Sequence, residues 1–317
     1  MGKPVCVIWM NEWKTYERAL TQAGLADKFE LHCGTLDEPV PDDVAARADV
    51  LMAWRPAGQL KRMPRLRWIQ ALNAGVDPWL ASPDLRPETT LCCARGSHRI
   101  SMPENILGAL FHITKPYMAI ALDQLESRWQ KRMSIPLAGQ TLGILGLGAI
   151  GQELARKAAA LEMRVIGTKR TPARLQHVDK VYASEATDEV LGASDFVVLL
   201  MPSTKETENF VNAERLRAMK PTAWLLNFSR GAVIVDADLI AAVKAKQIAG
   251  AILDVYRQEP LPASHPFWTT EGIMVLPHIG GGHPQRSRAV AEIFVDNARR
   301  FLAGEPLNAV VDKARGY

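Results

Sequence analysis

"TLGILGLGAIGQELARKAAA", residues 141–160, decides how the rest of the chain is read. The opening run is apolar and reads as a buried strand. Gly146, Gly148 and Gly151 follow at GxGxxG spacing, and an Ala-rich helical pattern starts directly after them. The glycines alone would be a weak signal, but strand, glycine turn and helix in that order are what dinucleotide binding requires. Gly146 makes the tight turn, Gly148 lets a pyrophosphate approach the backbone, and Gly151 lets helix and strand pack closely. Ala149 and Ile150, in the first helical turn, offer free N–H groups and the positive end of the helix dipole.

The next strand, 163–168, should end in an acid if the cofactor carried a free ribose 2′-hydroxyl. It ends instead in Thr168, Lys169 and Arg170. A hydroxyl and two cations suit a 2′-phosphate, so the sequence predicts NADP(H) in preference to NAD(H). The plain alternative is that Lys169 and Arg170 are solvated turn residues.

Working outward, strand-like runs recur after the glycine turn at 195–201, 223–228, 249–255 and 272–276, with helical patterns at 149–161, 187–192, 212–219 and 236–246. A similar alternation fills the first hundred residues, with strands at 5–10, 29–33, 50–54, 67–72 and 90–93 and a helix from Glu12 to Ala23. Alternation of this kind predicts α/β architecture with two doubly wound parallel-sheet domains. Residues 103–130 read as a long helical arm that Pro116 should kink or split. Its apolar residues cover more than one face, as in a helix packed on a partner. A last helix, roughly 284–303, is long enough to return to the first domain.

With 317 residues the chain suits two domains, and 48% hydrophobic with 23% charged residues is an ordinary globular balance. A net charge of +4 is too small and too scattered for a nucleic-acid binder. No apolar run reaches membrane-spanning length, and the N-terminal one is too short for a signal peptide. The four cysteines show no metal-binding spacing, which predicts reduced thiols, a cytoplasmic protein and no metal.

Ligands of open parallel sheets sit beyond the carboxyl ends of the strands. Three such ends carry chemistry: Arg230 after 223–228, Glu259 after 249–255 and His278 after 272–276. Reduction of a 2-keto acid by a nicotinamide hydride needs an anchor for the carboxylate and carbonyl, and a proton for the new alkoxide. The planar fork of Arg suits the anchor, and His suits the proton donor. A carboxylate on the far ring nitrogen fixes the tautomer and favours the imidazolium. Singly, each residue has an ordinary structural reading; their joint placement near a dinucleotide loop favours the catalytic one.

These motifs resemble the D-isomer-specific 2-hydroxyacid dehydrogenase family over essentially the whole chain: "GLGAIG", "NFSRG", "DVYRQEPLP" and "LPHIGG" occur in its order and spacing. The resemblance implies a flavodoxin-like substrate domain (1–98 and 282–317) and a Rossmann-type cofactor domain (99–281), with the active-site cleft between them. It implies Arg230 as the substrate-binding catalytic Arg, His278 as acid/base and Glu259 as its partner. Asp254 would meet the nicotinamide amide, Phe228, Ser229 and Gly280 would lie near the nicotinamide, and Pro202 and Thr207 would line the adenine side. "LNAGVD" at 72–77 resembles the substrate loop, whose Ala74, Gly75 and Val76 N–H groups would grip a carboxylate. The arm 103–130 would be a homodimerisation segment, with Trp129 reaching toward a partner. Within the family, "LMAWRP" at 51–56 is similar to the glyoxylate/hydroxypyruvate reductase branch, in which Trp54 would close over a small substrate and Arg55 could add a cation.

Three functions compete. The first is NADPH-dependent reduction of glyoxylate, hydroxypyruvate and similar 2-keto acids to D-2-hydroxy acids. The second is the same chemistry on a bulkier keto acid or on phosphite. The third is a co-repressor-like dinucleotide sensor, which ranks last because the chain lacks the long disordered flanks of such proteins.

Overall fold

The computed structural model describes residues 2–56 and 58–316. Met1, Ala57 and Tyr317, which fall inside the predicted domain limits, lie outside the described residues. The chain divides into two compact units, Met1–His98 with His283–Tyr317, and Arg99–Gly282.

The first unit holds β1 (Val5–Trp9), β2 (Glu30–Gly34), β3 (Ala48–Ala53), β4 (Trp68–Ala71) and β5 (Thr90–Cys92). They form one parallel sheet in the order β2-β1-β3-β4-β5. Every residue of β1, β3 and β4 is buried, because helices cover both faces and leave no side for polar residues. The two-residue strand period sorts the side chains into two cores. Val5, Val7 and Trp9 join Val44 and Trp79 on one face; Cys6 and Ile8 join Tyr16, Leu20 and Trp68 on the other. Val44 and Trp79 belong to the short helices α2 (Asp42–Arg47) and α3 (Asp77–Leu80), Tyr16 and Leu20 to α1 (Trp13–Gln22). The C-terminal helix, Arg286–Ala303, completes the second core with Val290, Phe294 and Ala298, and the Phe294 ring lies 5.5 Å from that of Trp68. Gly304 ends this helix at φ 71°, a left-handed cap that favours glycine.

The second unit opens with α4 (Ser101–Thr114) and α5 (Tyr117–Leu125). Its strands are β6 (Thr141–Leu145), β7 (Arg164–Thr168), β8 (Lys180–Tyr182), β9 (Phe196–Leu199), β10 (Trp224–Asn227), β11 (Gly250–Leu253) and β12 (Ile273–Val275). The helices between them are α6 (Ala149–Ala159), α7 (Thr187–Ala193), α8 (Ala213–Ala218) and α9 (Asp236–Lys244). The seven strands are parallel, in the order β12-β11-β10-β9-β6-β7-β8. Chain direction across the sheet reverses at β6, which pairs with both β7 and β9. The carboxyl end of such a switch point is where open α/β sheets take their ligands. The glycine turn after Leu145 lies there.

Two sequence expectations need correction. The helical stretch over 103–130 stops early: α4 ends at Thr114, α5 follows Pro116, and no helix continues past Leu125. Lys115 is extended (φ −114°, ψ 131°), as the residue before a proline prefers. Beyond α5, Asp123 accepts hydrogen bonds from Arg128 and from Arg132 Nε at 2.7 Å, which fold 126–132 back on the helix end. Strand β8 is not among the predicted strands; it is a three-residue edge strand, too short for a periodic signal.

Candidate active site

The turn after β10 is built by Asn227, which is only 1% exposed. Its Oδ1 accepts from Ser229 N at 3.1 Å and Ser229 Oγ at 2.8 Å, and its Nδ2 donates to Arg230 O at 3.0 Å. A buried amide satisfied on both sides holds one turn geometry. Arg230 leaves this turn half-buried, with Nη1 donating to Ser229 O at 2.8 Å. Gly231 comes next and cannot be anything larger. A Cβ there would lie 1.9 Å from the carbonyl carbon of Tyr256 and 2.3 Å from Arg257 N. The Arg230 turn therefore packs backbone to backbone on the loop after β11.

That loop carries Glu259. Its Oε1 accepts from Tyr256 N at 2.9 Å, and its Oε2 lies 2.6 Å from His278 Nδ1. With the carboxylate on Nδ1, the ring presents Nε2 outward, and the His278 side chain is half-exposed. Asp254, 1% exposed, fixes the segment after β12: Oδ1 accepts from Ile279 N at 2.7 Å and Oδ2 from Gly280 N at 2.9 Å. These bonds hold the backbone that follows His278, itself in the left-handed region at φ 54°. Burial pushes the Asp254 carboxyl above its ordinary range, and the two N–H donors pull it back. A Cβ on Gly280 would lie 2.6 Å from Asp254 Oδ2 and 2.7 Å from Phe228 Cδ1, so this segment is pressed against the β10 turn as well. The three predicted residues, Arg230, Glu259 and His278, are thus brought together by three interlocked strand ends.

Sequence reasoning missed Tyr256. Its hydroxyl lies 2.5 Å from Leu253 O and 2.8 Å from Leu276 O, and donates to these two carbonyls in turn. Tyr256 therefore ties the end of β11 to the residue two before His278, while its own N–H orients Glu259. Burial raises its phenol further above neutrality, so it stays a donor. The aromatic after "DV" looks like an ordinary core residue; only its contacts reveal the tie.

The glycine turn fits a dinucleotide. Gly146 sits at φ 115°, and a Cβ would meet the Leu200 carbonyl at 2.7 Å. A Cβ on Gly151 would lie 2.4 Å from Gly146 O, whereas one on Gly148 would meet nothing within 4 Å. The one open glycine is the one assigned to the pyrophosphate. Helix α6 starts at Ala149 with no side-chain cap and no acidic residue in its first turn, which leaves its N-terminal donors for an anion. Leu147 N donates to Thr168 O at 3.0 Å, joining the turn to the end of β7. Thr168 is buried; Lys169 Nζ reaches back to Leu147 O at 3.4 Å, and exposed Arg170 pairs with Glu206 at 3.8 Å. Thr207 Oγ1 donates to Pro202 O at 2.7 Å, closing the 202–207 loop after β9.

In the first unit, residues 72–76 form the bend between β4 and α3, with Ala74 and Gly75 partly exposed and Val76 buried. Trp54 is partly exposed at the end of β3, and Arg55 is exposed. No set of three or more His, Cys, Asp or Glu suited to a metal ion occurs among the described residues.

A profile for the D-isomer specific 2-hydroxyacid dehydrogenase NAD binding domain matches residues 107–280. The chain belongs to the D-isomer specific 2-hydroxyacid dehydrogenase family. A family relative, the glyoxylate/hydroxypyruvate reductase A of Serratia proteamaculans, is 31% identical over 278 residues, 85% of this chain and 88% of its own. A family protein of Aeromonas salmonicida has a solved structure with TM-score 0.88 at 31% identity, covering 98% of this chain and 100% of that one. The NADPH-dependent glyoxylate/hydroxypyruvate reductase of Sinorhizobium meliloti, solved with NADP and sulfate, superposes with TM-score 0.84 at 29% identity and full coverage of both chains. The five- and seven-stranded parallel sheets described above are those of 2-hydroxyacid dehydrogenase structures.

Proposed function

We propose that this 2-hydroxyacid dehydrogenase reduces glyoxylate, hydroxypyruvate and related small 2-keto acids to D-2-hydroxy acids, with NADPH preferred over NADH. The observation that carries the reading is the 2.6 Å His278–Glu259 pair, interlocked through Gly231 and Gly280 with the turn that bears Arg230. The names of the Serratia and Sinorhizobium relatives support the substrate class. Lys169 and Arg170 after β7, where NAD binding would want an acid, support the cofactor preference.

In this reading the second unit binds the dinucleotide and the first unit the substrate. Gly146, Gly148, Ala149, Ile150 and Gly151 hold the pyrophosphate, and Thr168, Lys169 and Arg170 the 2′-phosphate. Pro202 and Thr207 line the adenine side; Phe228, Ser229, Asp254 and Gly280 line the nicotinamide side. Bound NADPH supplies the hydride to the keto carbon. Arg230 pairs with the substrate's carboxylate and carbonyl oxygens. His278 gives its Nε2 proton to the carbonyl oxygen as that oxygen gains charge. Glu259 keeps the Nδ1 proton in place and offsets the positive charge of the imidazolium. One proton is consumed per turnover, and in the reverse direction His278 takes it back as base. The N–H groups of Ala74, Gly75 and Val76 grip the carboxylate, and Trp54 and Arg55 bound the substrate's far side. The chain pairs as a homodimer through 103–130, whose Tyr117, Met118, Leu125 and Trp129 side chains are largely exposed.

The test is NADPH and NADH oxidation over a panel of glyoxylate, hydroxypyruvate, pyruvate, phenylpyruvate and 2-ketoisocaproate, with phosphite-dependent reduction of NADP and NAD run alongside. Turnover greatest with the first two and NADPH is expected. Preference for a bulky acid or phosphite would move the substrate, equal use of NADH would remove the cofactor preference, and no turnover at all would favour a sensor.

A further inference from the structure

The first unit contains a cation in an expensive place. Arg286 opens the 18-residue C-terminal helix, so its charge sits at the positive end of the helix dipole. It is half-buried, and burial lowers its pKa from the ordinary Arg value. It forms no ion pair among the described residues; Glu12 acts on it only at longer range. What holds it is neutral. Nη2 donates to Leu72 O at 2.5 Å and to Asn73 Oδ1 at 2.8 Å. The guanidinium lies over the Trp54 ring, 4.5 Å from its centroid. One side chain thus grips the backbone just before Ala74, Gly75 and Val76, and also the aromatic ring assigned to the substrate wall.

A cation without a counter-ion, desolvated and set against a helix dipole, is destabilising by itself. Pinning a helix would need no charge. An anion arriving at the neighbouring N–H groups would supply the missing partner. We infer that Arg286 is a positioning residue for the keto-acid carboxylate: it fixes the loop whose N–H groups receive that carboxylate, sets the Trp54 ring, and lends the loop positive potential. This inference rests on the functional reading above.

The test uses the full-length enzyme with saturating NADPH and glyoxylate as varied substrate. Arg286→Met keeps an aliphatic chain under the ring but removes the charge and both hydrogen bonds. Its KM for glyoxylate is expected to rise by about tenfold to a hundredfold, with kcat changed less than about threefold and the KM for NADPH unchanged. The inhibition constant of oxamate, a keto-acid mimic that is not reduced, should rise in parallel. Arg286→Lys, which keeps the charge, should fall between wild type and Arg286→Met. Asn73→Ala removes one acceptor from a partly exposed loop and serves if Arg286→Met does not fold; a rise in KM of about threefold to tenfold is expected. Unchanged KM and oxamate inhibition in folded Arg286→Met, or in Asn73→Ala where the former does not fold, would overturn the inference and leave the functional reading intact, as would a loss confined to melting temperature. A wild-type enzyme that reduces no keto acid would overturn both.

Discussion

At the carboxyl end of the seven-stranded sheet, the functional turns are held by residues between 3 and 26 positions away. Asn227 builds the turn of Arg230, Tyr256 N–H orients Glu259, and Asp254 lies one strand away from the backbone it holds after His278. At the carboxyl end of the five-stranded sheet, the loop at 72–76 is held by Arg286, 214 residues downstream of Leu72. The first arrangement suits groups that move a proton, because buried, satisfied polar networks fix side chains tightly. The second suits backbone donors that only have to receive a carboxylate. On the proposed reading chemistry and anchoring are supported by different means, and substitutions in the two regions should fail differently.

The largest contrast is expected from His278→Ala. Removing the proposed proton donor should lower kcat by about a hundredfold to ten-thousandfold, while fluorescence titration finds NADPH affinity within about threefold. Loss of both in proportion would make His278 a structural residue and erase the contrast. Arg230→Lys comes next. A point charge cannot reproduce the fork, so kcat/KM for glyoxylate should drop by roughly a hundredfold. A drop no larger than that of Arg286→Lys would mean that the two ends work alike. Gly231→Ala tests the interlock: its methyl would force the Arg230 turn off the Tyr256–Arg257 backbone, at a cost of about 1–3 kcal/mol in chemical denaturation. Activity should fall with it; an unchanged kcat would show that the two loops do not depend on their contact. The smallest effect is assigned to Tyr256→Phe. Ring packing stays and one hydrogen bond goes, so kcat should fall by about threefold to tenfold with KM for glyoxylate nearly constant. A shift in KM instead would place Tyr256 with the anchoring residues.

Much of this was legible in the sequence because it is local. Alternating buried runs gave the parallel strands, and a strand followed by three glycines and an Ala-rich helix gave the dinucleotide turn. Arg230, Glu259 and His278 stand out because each follows a strand directly. What the sequence hid depends on distance along the chain or on shortness. Arg286 looks like one more surface Arg in a basic helix until the fold brings Leu72 and Trp54 to it. Tyr256 looks like core, and Lys180–Tyr182 is too short for a two-residue period to register. Residues 126–130 lack their predicted helix because Asp123 binds two arginines instead of leaving the helix end to continue.

The first unit is assembled from both ends of the chain, while the second is contiguous. Val290, Phe294 and Ala298, which pack on Trp68, are therefore made after every strand of both sheets. Until then one face of the five-stranded sheet is covered only in part, by Tyr16 and Leu20 of α1. A nascent chain stalled near residue 282 would be a natural client for chaperones, even though most of its sequence has already been made.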